Sequence, residues 1–209
     1  MLETSPAIRL PRADEVPNNS QVFERLKERE NANIVQGFIV HQNLKQDLPF
    51  KFYAEINVNN SKLWNLFEKL TEEMPEQLSC IYNMYDGEPN FSIYKQKNII
   101  LDELRKFELE LTKDCNFEFG LIHQVEESLE EVFVSDCKYI KYWGVDENRF
   151  RKILEDSQLT EIEDLNFIDE FPKVVEPLTM FDKKARDTIT VFNELNNFFL
   201  SLENEINDN

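Results

Sequence analysis

The sequence predicts an α+β fold, a largely antiparallel twisted sheet covered by helices and completed by a long C-terminal amphipathic helix. Three observations carry this. Segments with apolar residues at every second position are interleaved with segments that place them at every third or fourth. The strand signals come in pairs joined by turn residues. A proline-marked acidic connector then leads into a final helical pattern. Strand pairs alternating with helices imply five to seven strands with helices packed on one face.

Residues 1–33 read as an N-terminal arm and short helix, and residues 34–209 as a single α+β domain. Pro6, Pro11 and Pro17 fix φ and restrict their predecessors, which predicts an extended arm. Ser20 is a candidate cap for a helix over "QVFERLKERE", with Val22, Phe23 and Leu26 on one side. "NIVQGFIVHQ" is a strand, and in "PFKFYAEINV" Phe50, Phe52, Ala54, Ile56 and Val58 alternate strictly, as a sheet with one buried face requires. "SKLWNLFEKLTEEM" puts Leu63, Leu66, Phe67, Leu70 and Met74 on one helical stripe, ended by Pro75.

A second round follows. "QLSCIYNMY" and "NFSIYKQ" flank the turn pair Asp86-Gly87. "NIILDELRKFELELT" forms a helix with Ile100, Leu104, Phe107 and Leu111 inward. In the third round "CNFEFGLIHQ" is a strand, and "EEVFVSDCKYIKYWG" is either two strands or one bulged strand, because its alternation breaks near Ser135-Asp136. Asp146 caps "ENRFRKILEDS". An ungapped echo aligns the stretch from Phe52 with the stretch from Tyr139, either a duplicated unit or the shared demands of a strand feeding a helix. The connector over 159–181 has room for one short strand. The last helix places Ile189, Phe192, Leu195, Phe199, Leu202 and Ile206 on one stripe, to dock on its own sheet or to serve a neighbouring subunit.

Charge is the strongest global signal. Forty-one Asp and Glu against 23 Lys and Arg give a net charge of −18. Such a chain repels nucleic acid and anionic lipid and attracts basic proteins. The apolar share of 41%, with 17 Phe, excludes wholesale disorder. No secretory leader pattern and no apolar run of about 18 residues is present, and Cys80, Cys115 and Cys137 show neither disulfide-framework nor zinc spacing. A reducing cytoplasm is the expected location, with no membrane or nucleic acid partner.

The search for chemistry returns little. The four glycines are too scattered for a phosphate loop, and no HExxH or nucleophile elbow occurs. "DENRFRKILEDS" starts like a calcium loop, but Phe150 takes a ligand position. No catalytic residue, metal ligand or cofactor is therefore assigned. His123 ends the alternation Phe117, Phe119, Leu121, at the rim of the buried face; paired with Glu131 or Asp136 in a cleft between sheet and helix it is the basis of an alternative reading as an enzyme or a small-ligand or metal-binding protein. The candidate interface is Glu130, Glu131, Phe133, Asp136, Tyr139, Tyr142 and Trp143, since large aromatics set among charges are what interface hot spots use. Sheet cores use the same aromatics.

The succession "FEFGLIHQ", "EEVFVSDCKYIKYW", "DENRFRKIL" over residues 116–159 resembles small acidic α+β immunity proteins of bacterial toxin systems. The resemblance implies a cytoplasmic, non-enzymatic protein that occludes a basic toxin or nuclease through an acidic surface. It carries no site residue with it.

Overall fold

The computed structural model describes residues 2–12, 14–45 and 47–207, with side chains as far as Asn204. The strands are β1 (Ile8–Arg9), β2 (Gly37–Gln42), β3 (Phe52–Asn57), β4 (Gln77–Met84), β5 (Asn90–Phe91), β6 (Lys95–Gln96), β7 (Phe117–Val125), β8 (Ser128–Val134), β9 (Ile140–Gly144) and β10 (Val174–Val175). The helices are α1 (Ser20–Glu30), α2 (Leu63–Glu72), α3 (Lys97–Leu104), α4 (Glu108–Lys113), α5 (Glu147–Asp156) and α6 (Thr188–Asn207). The expected α+β architecture is present. Seven strands run β2-β3-β9-β8-β7-β4-β5, β6 pairs with the start of β4 to make eight, and every pairing is antiparallel.

The sheet exceeds the five to seven strands expected because "NFSIYKQ" is two short strands. Ser92 interrupts it: its hydroxyl accepts the Cys80 N–H at 2.8 Å, and its carbonyl accepts the Ser79 hydroxyl. The Ser92 N–H still bonds the Cys80 carbonyl at 2.9 Å, so the side-chain bonds join one backbone bond in holding the segment between β5 and β6 to β4, as at a bulge.

One face of the sheet carries the helices. Phe52, Ala54 and Ile56 of β3, Val132 and Val134 of β8, and Ile140 and Tyr142 of β9 point into a continuous core with the apolar stripes of α2, α5 and α6. The stripe of α2 is buried as the spacing requires, and Trp64 joins it. The helix read over 98–112 is broken into α3 and α4 by a 3-10 turn at Arg105–Phe107, with Ile100, Leu104, Phe107 and Leu111 all buried. Asn19, not Ser20, caps α1, its side chain accepting the Gln21 N–H at 2.9 Å. In α6 Leu195 and Phe199 are buried against the sheet, where Tyr82 packs on the Phe199 ring at 5.2 Å. Ile189 departs from the expected stripe and is 62% exposed, while the side chain of Ile206 lies outside the described residues.

The echo between the segments from Phe52 and Tyr139 holds in the helices and fails in the strands. Leu63 and Phe150 are both buried at their helix starts. The same alignment sets core-facing Phe52 and Ala54 against Tyr139, in the reverse-face cluster just before β9, and Lys141, on the opposite pleat of β9. A duplicated unit would keep its pleat phase, so the demands of a strand feeding a helix account for the similarity.

The reverse face is half closed. β1 pairs with β10, and a small cluster gathers Ala7, Ile8, Tyr139, Leu165, Phe167 and Ile168 against Ile39 of β2. The predicted arm is thus an extended segment with Ser5, Ala7 and Ile8 buried. Arg9 bonds Glu176 at 3.0 Å across 167 positions of sequence. The connector holds one short strand, β10, as its composition allowed.

Candidate functional site

The stretch from Glu130 to Gly144 is two strands, β8 and β9, joined by a tight turn at residues 135–139. The Ser135 N–H donates to the Tyr139 carbonyl and the Lys138 N–H to the Ser135 carbonyl, each at 3.0 Å. Lys138 adopts φ of 61°, in the left-handed region that side chains rarely enter. Its ammonium is held by the Phe117 carbonyl at 2.6 Å, and it is only 4% exposed. Burial pushes its pKa down, and nearby Asp114, Asp136 and Glu118 oppose that.

The pleat phase is the same in β8 and β9, with even-numbered residues facing the helices and odd-numbered ones the reverse face, and this divides the seven candidate residues. Four are corrected from surface to interior. Tyr142 is in the main core, stacked on Phe150 at 4.7 Å. Tyr139 belongs to the reverse-face cluster, against Phe167 at 4.7 Å, and its hydroxyl donates to Asp169 at 2.9 Å. Asp136 is buried and paired with Lys173 at 3.1 Å. Glu130 faces the helices, where Arg149 of α5 meets both its carboxylate oxygens at 2.8 Å. Such pairs fix elements in place and leave no charge for a partner.

The other three stay together on the reverse face. Glu131 sits opposite Trp143 on one side and Ile122 on the other. Phe133 sits opposite Gly120 and lies over it: a Cβ there would come within 2.9 Å of the Phe133 ring and 2.6 Å of the Val132 carbonyl. Trp143 packs on Tyr53 at 4.8 Å, and Tyr53 stacks on His41 at 5.9 Å. Phe133 and Trp143 are partly exposed, and Phe91 of the edge strand is 57% exposed. Glu131, Phe133, Trp143, Ile122 and Phe91 line a cavity of about 520 Å³ that also takes in Ile81, Glu118 and Leu129. Burial raises the Glu131 carboxyl from its ordinary value to about 7.

Sequence reasoning missed Tyr53, Ile81, Ile122 and Gly120. The available signal was an apolar side chain out of phase with the core-facing residues of its strand, as Tyr53 is between Phe52 and Ala54.

His123 pairs across the ladder with Glu130 and therefore lies on the helix side, so the alternation separates it from Glu131. Its Nδ1 is 2.8 Å from the Gln77 carbonyl and donates to it, and its ring meets Tyr94 edge-on. The pairing of His123 with Glu131 in a sheet–helix cleft is not assembled. Cys137 is buried beside Asp136, and both the burial and that carboxylate push its thiol pKa up, despite Lys173 at 2.6 Å. Cys80 and Cys115 are buried free thiols. Several carboxylates of the connector are engaged locally: Glu161 is paired with Arg151, Asp169 accepts from Tyr139 and Glu170 accepts the Phe167 N–H. No described helix is long and apolar enough to cross a membrane. Comparison of the chain with protein-family models, with curated proteins and with solved structures returned no match.

Proposed function

We propose that this chain is a non-enzymatic binding protein that holds a basic polypeptide on the open half of its sheet, as an immunity protein holds a toxin or nuclease domain. One observation carries the reading: Phe133 and Trp143 stay partly exposed around the Glu131 carboxylate, in a shallow apolar hollow on a chain of charge −18. Aromatic anchors in a hollow are the usual centre of a protein interface, and a field of this sign draws a basic partner in. The resemblance of residues 116–159 to immunity proteins supports the choice of partner. A reducing cytoplasm, which would keep the three thiols free, is the compartment the reading requires.

The test is capture from native cytoplasm at low salt, elution by raised salt, and identification of the eluted polypeptide. The recombinant partner should then bind the wild-type chain and lose roughly 100-fold in affinity to a Phe133→Ser, Trp143→Ala double variant. A control on the helix side of the sheet, Lys152→Ala at an exposed position of α5, should bind as the wild type does. Equal binding by the double variant, or a captured partner that is acidic, sinks the reading.

A further inference from the structure

Glu131 stands near the middle of the open half of the sheet, between Ile122 and Trp143 across the strands and between Leu129 and Phe133 along its own face. Among the described residues, no hydrogen bond or ion pair reaches its carboxylate. The other carboxylate of the cavity, Glu118, is already engaged, accepting from the Asn83 amide at 2.7 Å and the Asp136 N–H at 3.2 Å. Lys141 lines the same cavity but leans away: its ammonium lies 5.4 Å over the Tyr139 ring, at the turn end of β9, whereas Glu131 is level with Trp143 at the far end. The hollow therefore presents one unmatched negative group on an apolar floor, with an indole beside it.

An ionised carboxylate on such a floor is costly until something pairs with it. The best complement is a planar cation that forks onto both carboxylate oxygens and stacks on an aromatic face. A guanidinium does both; an ammonium is a compact, strongly hydrated charge that does neither as well. Burial of Glu131 agrees with this, since its raised pKa marks a site where the charge lacks a partner.

We propose that the cavity receives an arginine side chain of the bound polypeptide, its guanidinium forked on Glu131 and stacked on Trp143, its aliphatic stem along Phe133 and Leu129. The inference rests on the binding function proposed above and names the chemistry of the contact at its centre.

The probe is the capped tripeptide acetyl-Gly-Arg-Gly-amide, with its lysine and citrulline counterparts, added to the full chain at pH 8. Binding is read from tryptophan emission and backbone amide shifts. The arginine peptide should saturate, bind at least about 10-fold more tightly than the citrulline peptide, and move the amides of β8 and β9 around Glu131 and Trp143. Glu131→Gln should weaken it by about 10-fold or more without lowering the thermal midpoint. Affinity should also fall several-fold between pH 8 and pH 6 as the carboxyl takes up its proton, and Glu131→Gln should abolish that dependence. Glu118, Lys141, Glu55 and His41 share this face, so His41→Gln is the control and should keep the pH dependence. Citrulline binding as well as arginine, undiminished binding by Glu131→Gln, or shifts confined to another surface would each overturn the inference. If the peptide fails while the captured partner still depends on Phe133 and Trp143, the arginine assignment alone falls. If capture is indifferent to both aromatics, the binding function falls with it.

Discussion

Glu131 and Lys138 are both charged groups drawn out of water, and their surroundings treat them oppositely. Lys138 ends on a carbonyl acceptor amid three carboxylates, so its ammonium is compensated. Lys138→Met would leave that acceptor buried without a donor and should cost roughly 3 kcal/mol in urea unfolding. Glu131 has no such compensation, and its carboxyl holds a proton better when folded (about 7) than at its ordinary value of 4.5. The folded chain therefore binds more protons than the unfolded chain between those values, and this residue's contribution to stability falls as pH rises through that window. Glu131→Gln removes the titration: it should stabilise the protein by about 2 kcal/mol at pH 8, with allowance for solvent in the cavity, and the gain should vanish near pH 5. A gain equal at both pH values would count against a raised carboxyl. The alternation of residues 130–134 already separates Glu131 and Phe133 from Glu130. What the sequence could not show is that residues 135–139 form a tight turn that returns β9 in the same phase, since that depends on Lys138 entering the left-handed region to reach an acceptor 21 positions away.

The elements differ in how openly they declared themselves. Strict alternation in β3 and the apolar stripes of α2 and α5 were legible because one buried face imposes one period. The two-residue strands β5 and β6 were not, because their pairing is set by Ser92 bonds and not by any repeating pattern. In α6 the helical period was clear, but the width of the buried stripe depends on where the sheet ends. Phe199 lies over Tyr82, whereas Ile189 is mostly exposed at the start of the helix. Phe199→Ala should therefore cost about 3–5 kcal/mol, and Ile189→Ala should stay within about 0.5 kcal/mol of wild type, both by denaturant unfolding. Similar losses at both sites would mean that α6 packs in a different rotation.

At the scale of the molecule, a sheet of eight strands is sealed by helices on one face and only partly covered on the other. Composition announced the charge of −18 but not its distribution, because many carboxylates are tied up locally, as Glu130 is by Arg149 and Glu161 by Arg151. The surplus acts through the long-range field, so raising ionic strength from about 20 mM to 500 mM should slow association with a basic partner by about 10-fold or more in stopped-flow measurements, with dissociation changing far less. A salt-independent association rate would contradict the steering role. The pairing of β1 with β10 bears on how the molecule comes into being. During synthesis the early strand must wait, unmatched, until more than 160 further residues have been made, because its mate is encoded near position 175. Until that clasp shuts, Ile39 and Tyr139 lack their lid, and a nascent chain offers a companion a broader greasy landing ground than the finished protein ever does.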